Sequence, residues 1–332
     1  MRKRPTSWWA VATIATTIMI ATSCGGNNEK PAATAVVDYA QVATPDFDSD
    51  SAYHYAAEQL GMGFRVPGTK AHRQCSDWLE HTLRQWCDTV TVQEFSATLW
   101  NGNRVPGRNI IASLSPEKNN RVVLAAHWDS RMYADHDPDS NNWRKPIPGA
   151  NDGASGVAVL MEMARTMSKQ RPNVGIDFVL FDVEDQGIPE WANDYRDDTW
   201  CLGSQYWSRH PHRLFYAANY GILLDMVGTS HARFTKEQVS MRYAPGIMNK
   251  LWQAAAALGY GQMFVNEQTD PILDDHLYVN QLANIPMVDI VQNSPECSFY
   301  PYWHTVKDDQ EAIDKNTMRA VARVVMAVIY QQ

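Results

Sequence analysis

Five short motifs place histidine or acidic side chains next to apolar stretches, where they could act together on one ligand: AAHWDS, GANDGASG, FDVEDQG, LLDMVG and YWHT. Carboxylates packed together repel one another, which raises their pKa values and destabilises the fold unless a cation lies between them. Imidazole and carboxylate ligands without a thiolate suit zinc with an open position for substrate. The candidate residues are His127, Asp129, Asp152, Glu184, Asp185, Asp225 and His304.

The adjacent pair Glu184–Asp185 suggests a division of labour. Any single acid at the end of a strand could be a helix cap or a loop hydrogen-bond acceptor, so the joint pattern carries the argument. Neighbouring residues at a strand end point in different directions. One carboxylate can therefore bind the metal while the other stays free, in the position of a general base.

Alternating helices and strands from about residue 50 would position these motifs. Strands are predicted at 90–95, 108–114, 121–127, 174–184, 220–228 and 285–291. Helices are predicted at 51–61, 70–86, 156–167, 244–259 and 314–330. Continuous apolar strands between helices indicate a mainly parallel sheet covered on both faces. Ligands of such sheets bind beyond the carboxyl ends of the strands, where the motifs stand.

The composition excludes several classes of protein. A chain of 332 residues with 45% hydrophobic and 20% charged content is not a disordered tail, a coiled coil or a collagen-like fibre. Its 37 acidic and 29 basic residues give a formal net charge of -8. No basic surface is available for a phosphate backbone, so no nucleic-acid partner is expected.

The N-terminus has the pattern of a bacterial export signal. Residues 2–4 are basic, residues 8–21 are apolar or small, and small residues lead to Cys24. We predict a lipoprotein signal peptide at 1–23, a lipid anchor on Cys24 and a flexible tether at 24–50. Residues 51–332 would form a single catalytic domain in the cell envelope, facing the periplasm or on the outer membrane. The alternative is a plain secreted protein in which Cys24 is incidental.

The remaining cysteines have no CxxC spacing, so a cysteine-based zinc site is not expected. An exported protein can oxidise its cysteines, but the sequence leaves the pairing open. These residues are Cys75, Cys87, Cys201 and Cys297.

From about residue 53 to the end, the order of the five motifs resembles that of zinc aminopeptidases with the phosphorylase/hydrolase-like fold. It also resembles that of their relatives, the animal-type glutaminyl-peptide cyclotransferases. The segments FRVPGTKAH (64–72), DDHLYVNQLANIPMVDIV (274–291) and YPYWHTVKDD (300–309) favour the cyclotransferase branch. The resemblance implies a three-layer α/β fold whose central, mostly parallel mixed sheet carries helices on both faces.

The resemblance also implies roles for individual residues. One zinc would be held by Asp152, Asp185 and His304. Glu184 would move the proton, in an acidic network with Asp225 and Asp274. Trp303 and Trp191 would form walls of a narrow substrate pocket. The chain departs from the animal pattern at Asp185, where Glu is usual, and at Asp289, where that branch has His.

The implied reaction cyclises the N-terminal glutamine of a peptide or protein to pyroglutamate and releases ammonia, with one zinc per chain. The alternative is an aminopeptidase with two zincs, in which His127, Asp152 and Asp225 hold one metal and Asp152, Asp185 and His304 the other. All of these residues are present, so the ligands alone do not decide between one zinc and two. A third possibility is a surface lipoprotein that binds peptides without turnover.

Overall fold

Eight strands form two sheets within the described part of the chain, which comprises residues 37–192, 194, 196–293 and 299–332 of a computed structural model. The strands are β1 (Thr89–Thr98), β2 (Arg104–Leu114), β3 (Arg121–His127), β4 (Gly175–Phe181), β5 (Tyr220–Asp225), β6 (Phe234–Glu237), β7 (Phe264–Thr269) and β8 (Met287–Val291). The large sheet has the order β1-β2-β4-β3-β5-β8, and β6 pairs with β7 in a small parallel sheet.

The large sheet is mixed, as the resemblance implied. Strands β4, β3, β5 and β8 run parallel, while β1 and β2 form an antiparallel hairpin whose second strand pairs antiparallel with β4. The chain passes from β3 to β4 on one side and then returns to β5 on the other side. Strand β3 is therefore the switch point of the sheet, where α/β proteins bind their ligands.

Helices cover both faces of this sheet. They are α1 (Ser49–Gly61), α2 (Lys70–Leu83), α3 (Gly156–Lys169), α4 (Leu202–Arg209), α5 (Gln238–Tyr243), α6 (Pro245–Ala257), α7 (Asp275–Tyr278) and α8 (Lys315–Tyr330). Alternation along β3 sends Val122 and Leu124 into the larger core and Val123 into a second core that contains Trp207 of α4. The result is three layers, with the sheet in the middle.

The predicted tether needs a correction. From residue 37 onward the chain belongs to the compact unit Val37–Gln332. Tyr39 and Phe47 are buried in the main core, and the Asp48 carboxylate caps α1 by accepting the backbone N–H groups of Asp50 and Ser51. Residues 37–50 are thus part of the folded unit. The predicted signal peptide, the Cys24 anchor and the first part of the tether lie outside the described residues.

Two further differences concern the ends of elements and the small sheet. Helix α2 ends at Leu83 rather than 86, whereas α6 ends at Ala257 with Gly259 beyond it in the left-handed conformation, as a C-cap requires. Strands β6 and β7 were not predicted.

Cys75, Cys87 and Cys201 are free thiols, and Cys297 lies outside the described residues. No helix in the described ranges is long and apolar enough to cross a membrane.

Candidate metal centre and substrate cavity

The carboxyl ends of the parallel strands bring the predicted site residues together. His127 is the last residue of β3 and Asp225 the last of β5, while Glu184 and Asp185 follow β4. Asp152 lies in the turn before α3. His304 joins them from the segment between β8 and α8. All of these side chains are buried or nearly so.

Asp152, Asp185 and His304 form one candidate metal-binding group, which we call the first metal group. Their ligand atoms all lie within 4.8 Å of one another. His304 Nε2 is 2.9 Å from Asp185 Oδ1 and 3.6 Å from Asp152 Oδ2. The second oxygen of Asp185, Oδ2, is buried and has no hydrogen-bond partner. A buried carboxylate oxygen without a partner is costly, so this donor set fits a cation.

His127, Asp152 and Asp225 form a second group of the same kind. His127 Nε2 lies 3.0 Å from Asp152 Oδ1 and 3.2 Å from Asp225 Oδ1. The contact with Asp225 has hydrogen-bond geometry. Asp152 thus stands between the two histidines, which is the arrangement that a bridging ligand would need.

The electrostatics of the centre also favour a bound cation. Burial raises the pKa of Asp185 to about 6 and that of Asp225 to about 7. Burial alone would lower the pKa of His304, but the charge of Asp185 raises it. Folding therefore creates a pocket in which carboxylates resist ionisation, and a divalent ion would remove that conflict.

Asp129 orients the pair of acids that follows β4. Its carboxylate accepts the backbone N–H of Glu184 at 3.1 Å and that of Asp185 at 3.3 Å. It also accepts the side-chain amide of Gln186 at 2.9 Å. Because Asp129 holds the backbone N–H groups of both acids, the pair can direct one side chain to the metal group and the other into the cavity.

Arg65 and Asp308 hold the turn that carries Asp152. Asp308 accepts the backbone N–H groups of Asn151 at 2.8 Å and Asp152 at 3.1 Å. Arg65 donates to the carbonyl oxygens of Trp128, Pro148 and Gly149 at 2.6–2.9 Å. Both residues lie in segments that carried the family resemblance, but the sequence did not reveal what they hold.

A glycine is required next to Asp152. A Cβ at Gly153 would lie 2.4 Å from His127 Nε2 and 2.5 Å from the His127 carbonyl oxygen. No side chain fits there without moving the histidine. The close approach of this turn to β3 is thus what allows Asp152 to reach both groups.

Glu184 lies outside the first metal group and faces other partners. The buried thiol of Cys201 donates to Glu184 Oε1 at 3.3 Å, and ligand atoms of Glu184, Cys201 and Asp274 lie within 4.8 Å of one another. Burial, together with the charges of Asp185 and Asp274, raises the pKa of Glu184 well above its ordinary range. A carboxyl group with a raised pKa can both accept and return a proton.

Further buried polar groups support Asp274. Burial and the charge of Asp274 raise the pKa of Asp289 well above its ordinary range. His276 lies between Glu237, 3.1 Å from its Nε2, and Asp289, 3.9 Å from its Nδ1. Asp289 stands where the animal pattern has a histidine. It therefore adds a second acid to the network, and His276 of α7 lies beside it.

The cavity at this edge of the sheet has a volume of about 800 Å³. Trp303 lies on its wall and stacks on His304 with a ring separation of 3.7 Å. Trp191 does not line the cavity, so that prediction is wrong. It packs against Tyr133 and Trp143, whereas Trp200 lines the cavity.

Four of the eight described non-glycine residues with positive φ lie in or next to the site. Val183, Cys201, Met226 and His304 all have φ between 49° and 56°, in the left-handed region that residues other than glycine rarely occupy. Val183 precedes Glu184 and Met226 follows Asp225. Such strain at the ends of strands is typical of residues held in place for function.

Two residues that were not predicted as site residues, Asp135 and Arg131, contact His304 and Asp185 of the metal group. Asp135 Oδ1 lies 3.5 Å from His304 Nδ1, and Asp135 also pairs with Arg131 at 2.6 Å. Arg131 Nη1 donates to the carbonyl oxygen of Asp185 at 3.0 Å. A carboxylate behind a metal-binding histidine fixes its tautomer and its orientation. Only the position of Asp135 in the polar loop 132–148 could have suggested this role.

Residues 109–329 match the model of peptidase family M28, and the chain belongs to this family. The solved glutaminyl cyclase of Bacteroides thetaiotaomicron is 47% identical, with a TM-score of 0.86 over 87% of this chain and 100% of that one. A Zn-dependent exopeptidase of Parabacteroides distasonis is 49% identical, with a TM-score of 0.86 over 87% of this chain and 100% of that one. The imidazole and carboxylate donors of this centre are of the kind that suits zinc.

More distant relatives include both activities. The aminopeptidase YwaD of Bacillus subtilis is 26% identical over 68% of this chain and 44% of its own length. The glutaminyl-peptide cyclotransferase of Bos taurus is 23% identical over 67% of this chain and 65% of its own length. The chain thus spans less than half of the first curated relative and about two thirds of the bovine one.

Proposed function

We propose that the protein is a glutaminyl-peptide cyclotransferase, which converts the N-terminal glutamine of peptides and proteins to pyroglutamate and releases ammonia. The position of Glu184 carries the proposal. This carboxyl group is outside the metal group, lines the cavity and has a raised pKa. The similarity to solved bacterial glutaminyl cyclases supports the same conclusion.

The reaction needs little from the protein beyond orientation and one proton transfer. The α-amine of the substrate attacks the γ-carboxamide carbon of the same residue, so the reacting atoms are already linked. A bond forms between this nitrogen and the γ-carbon, and the bond from that carbon to the amide nitrogen breaks. A five-membered lactam and ammonia result. No water is consumed, so a cavity walled by tryptophans suits the reaction.

Glu184 supplies the proton transfer. Its carboxylate accepts a proton from the attacking amine and then gives it to the leaving nitrogen. The thiol of Cys201 holds one oxygen of Glu184 at 3.3 Å, so its other oxygen can face the substrate. Asp152, Asp185 and His304 would hold a zinc ion, which would supply a Lewis acid to polarise the γ-carbonyl group.

We further propose one zinc per chain. The unpartnered Asp185 Oδ2 belongs to the first group, whereas His127 Nε2 of the second group already has hydrogen-bond geometry to Asp225. The second group nevertheless supports an alternative function, since two zincs bridged by Asp152 are what an aminopeptidase would use. Glu184 would then activate a water molecule.

An assay pair separates the two functions. Ammonia release from a peptide that begins with glutamine is compared with amino-acid release from one that begins with leucine, before and after chelation. We expect ammonia release only, lost on chelation and restored by one equivalent of zinc. Two tightly held zincs together with release of leucine would establish the aminopeptidase instead. Cyclisation that survives complete removal of the metal would refute the proposed mechanism.

We also propose that the chain is exported and anchored in the cell envelope through a lipid on Cys24. The basic residues 2–4, the apolar run 8–21 and the small residues before Cys24 support this. Mass spectrometry of the protein from membranes tests it. We expect cleavage before Cys24 with a lipid on the new N-terminus, and none on Cys24→Ser. An unmodified, soluble mature chain would show plain secretion.

A further inference from the structure

The cavity is larger than one glutamine needs. A volume of about 800 Å³ is in the range that encloses a drug-sized ligand. The metal group and Glu184 occupy one part of its wall, while Gln238, Gln268 and Thr269 line another. Amide and hydroxyl groups can hydrogen-bond an extended peptide backbone. The cavity therefore has room for residues that follow the N-terminal glutamine.

Acidic side chains are numerous on the wall of this cavity. Seven of the described residues that line it are acidic, and none is lysine or arginine. Five of the acids belong to the metal groups or the proton-transfer network described above. The remaining two, Asp197 and Asp270, have no part in that machinery.

Asp197 and Asp270 reach the cavity from different segments. Asp197 begins a short 3-10 turn, Asp197–Thr199, ahead of Trp200, and Asp270 directly follows β7. Both are exposed, and neither forms an ion pair with another described residue. The neighbouring Arg196 does not neutralise Asp197, because its guanidinium donates to Asp194 at 2.8 Å and to the Trp100 carbonyl oxygen at 2.9 Å.

We infer that Asp197 and Asp270 select peptides with a lysine or arginine shortly after the N-terminal glutamine. The inference rests on the proposed cyclisation and names the class of substrate that the same site prefers. Two unpaired carboxylates at a cavity whose described wall has no lysine or arginine attract a cationic side chain and repel an acidic one. Because both acids are exposed, their effect is modest and is screened by salt.

Three peptides that differ only at the second residue test the inference: Gln-Lys, Gln-Ala and Gln-Glu, each with the same uncharged remainder. With the zinc-loaded full chain at low ionic strength, we expect kcat/KM to fall in that order. Each step should be about three- to tenfold, mainly through KM. At 0.5 M salt the differences should shrink to about twofold or less.

The double variant Asp197→Asn with Asp270→Asn should lose the order while it cyclises Gln-Ala at the normal rate. Glu117→Gln is the matched control, because Glu117 is an exposed acid on the opposite edge of the sheet, between β2 and β3. It should keep the full preference. Equal kcat/KM values for the three peptides, or an unchanged order in the double variant, would overturn the inference alone. Failure to cyclise any of the peptides would overturn the proposed function and the inference with it.

Discussion

The two ends of the central sheet both bury acidic side chains, but they differ in how completely arginine compensates the buried charge. At the amino end, Asp177 of β4 is fully buried and accepts hydrogen bonds from Arg121 at 2.5 and 2.7 Å, from Ser113 at 2.5 Å and from Tyr216 at 2.6 Å. Burial alone would raise the pKa of Asp177, but Arg121 lowers it. Every oxygen of this acid has a partner, so the cluster is closed.

At the carboxyl end, the acids are compensated only in part: Arg131 pairs with Asp135 and lies 3.6 Å from Asp185 Oδ1, but no described lysine or arginine pairs with Glu184 or Asp225. Burial raises the pKa values of Glu184, Asp185 and Asp225, and Asp185 Oδ2 has no hydrogen-bond partner. The comparison shows that burial of carboxylates is not itself the sign of a site. The sign is burial of more carboxylates than the internal cations compensate, because the missing charge must then come from a metal or a substrate.

The largest effect is expected from Glu184→Gln, which removes the proton carrier and keeps its shape. Turnover should fall by about 10²–10⁴-fold, while the zinc content stays the same. Kinetics and metal analysis of the same preparation check this. A variant without zinc would mean that Glu184 is a ligand, and the roles of Glu184 and Asp185 would have to be exchanged.

The next effect concerns the metal itself. The loss of a residue that supports a metal ligand weakens metal affinity by about 10–100-fold. His304→Ala removes a ligand itself, so its zinc affinity should fall by more than that. Asp135→Asn removes such a supporting residue, since Asp135 lies 3.5 Å from His304 Nδ1. Its loss of zinc affinity should therefore lie within the range of about 10–100-fold. Competition with a chelator measures both affinities. Unchanged zinc affinity in His304→Ala would exclude this histidine from the metal group.

At the amino end, Arg121→Met should leave Asp177 as an unpaired buried charge. The free energy of unfolding at pH 7 should fall by about 3–5 kcal/mol, with zinc content unchanged. Because Arg121 lowers the pKa of Asp177, this stabilisation is complete above the unfolded pKa of about 3.9 and is lost as the pH falls through the lower folded value.

Denaturant unfolding at pH 7 and at about pH 3, below the unfolded pKa, checks both the size and the sign, and the loss should be smaller at the acidic pH. Arg84→Met is the control, because Arg84 pairs with Glu80 at 2.8 Å on an exposed surface. It should cost about 0–1 kcal/mol. Equal losses in the two variants would show that the closed cluster contributes no more than a surface pair.

The smallest effect is expected at Cys201. Cys201→Ala removes the hydrogen bond to Glu184 Oε1 and should lower kcat by about three- to tenfold with little change in KM. Cys201→Ser keeps a donor and should recover part of the loss. Cys87→Ser, which replaces a half-buried thiol elsewhere, should have normal kinetics. If Cys201→Ala has the kcat of the native chain, the thiol does not position Glu184.

The sequence predicted the features that depend on local pattern. Strand β3 was predicted with its observed bounds, and the apolar strands placed His127, Glu184 and Asp225 at the same edge of the sheet. Parallel strands explain this success, because whatever follows them must lie at one edge. The family resemblance then added Asp274, which no local pattern distinguishes from an ordinary helix cap.

Features that depend on the path of the chain were not predictable. Trp191 and Trp200 lie nine positions apart in one polar segment, and only the fold decides which of them faces the cavity. Strand β7 is mostly exposed, so it has no apolar pattern to detect. Tyr39 lies in a stretch of small and polar residues, yet its ring is buried in the main core.

The turn at Asp152 has a consequence for how the chain matures. Its backbone is held by Asp308, and His304 of the candidate metal group comes from the same segment after β8. These residues are synthesised after every other member of the two candidate metal groups. A nascent or C-terminally clipped chain therefore contains most of the acids but neither the clamp nor the second imidazole. Only after residues 304–308 have been made can the first metal group form.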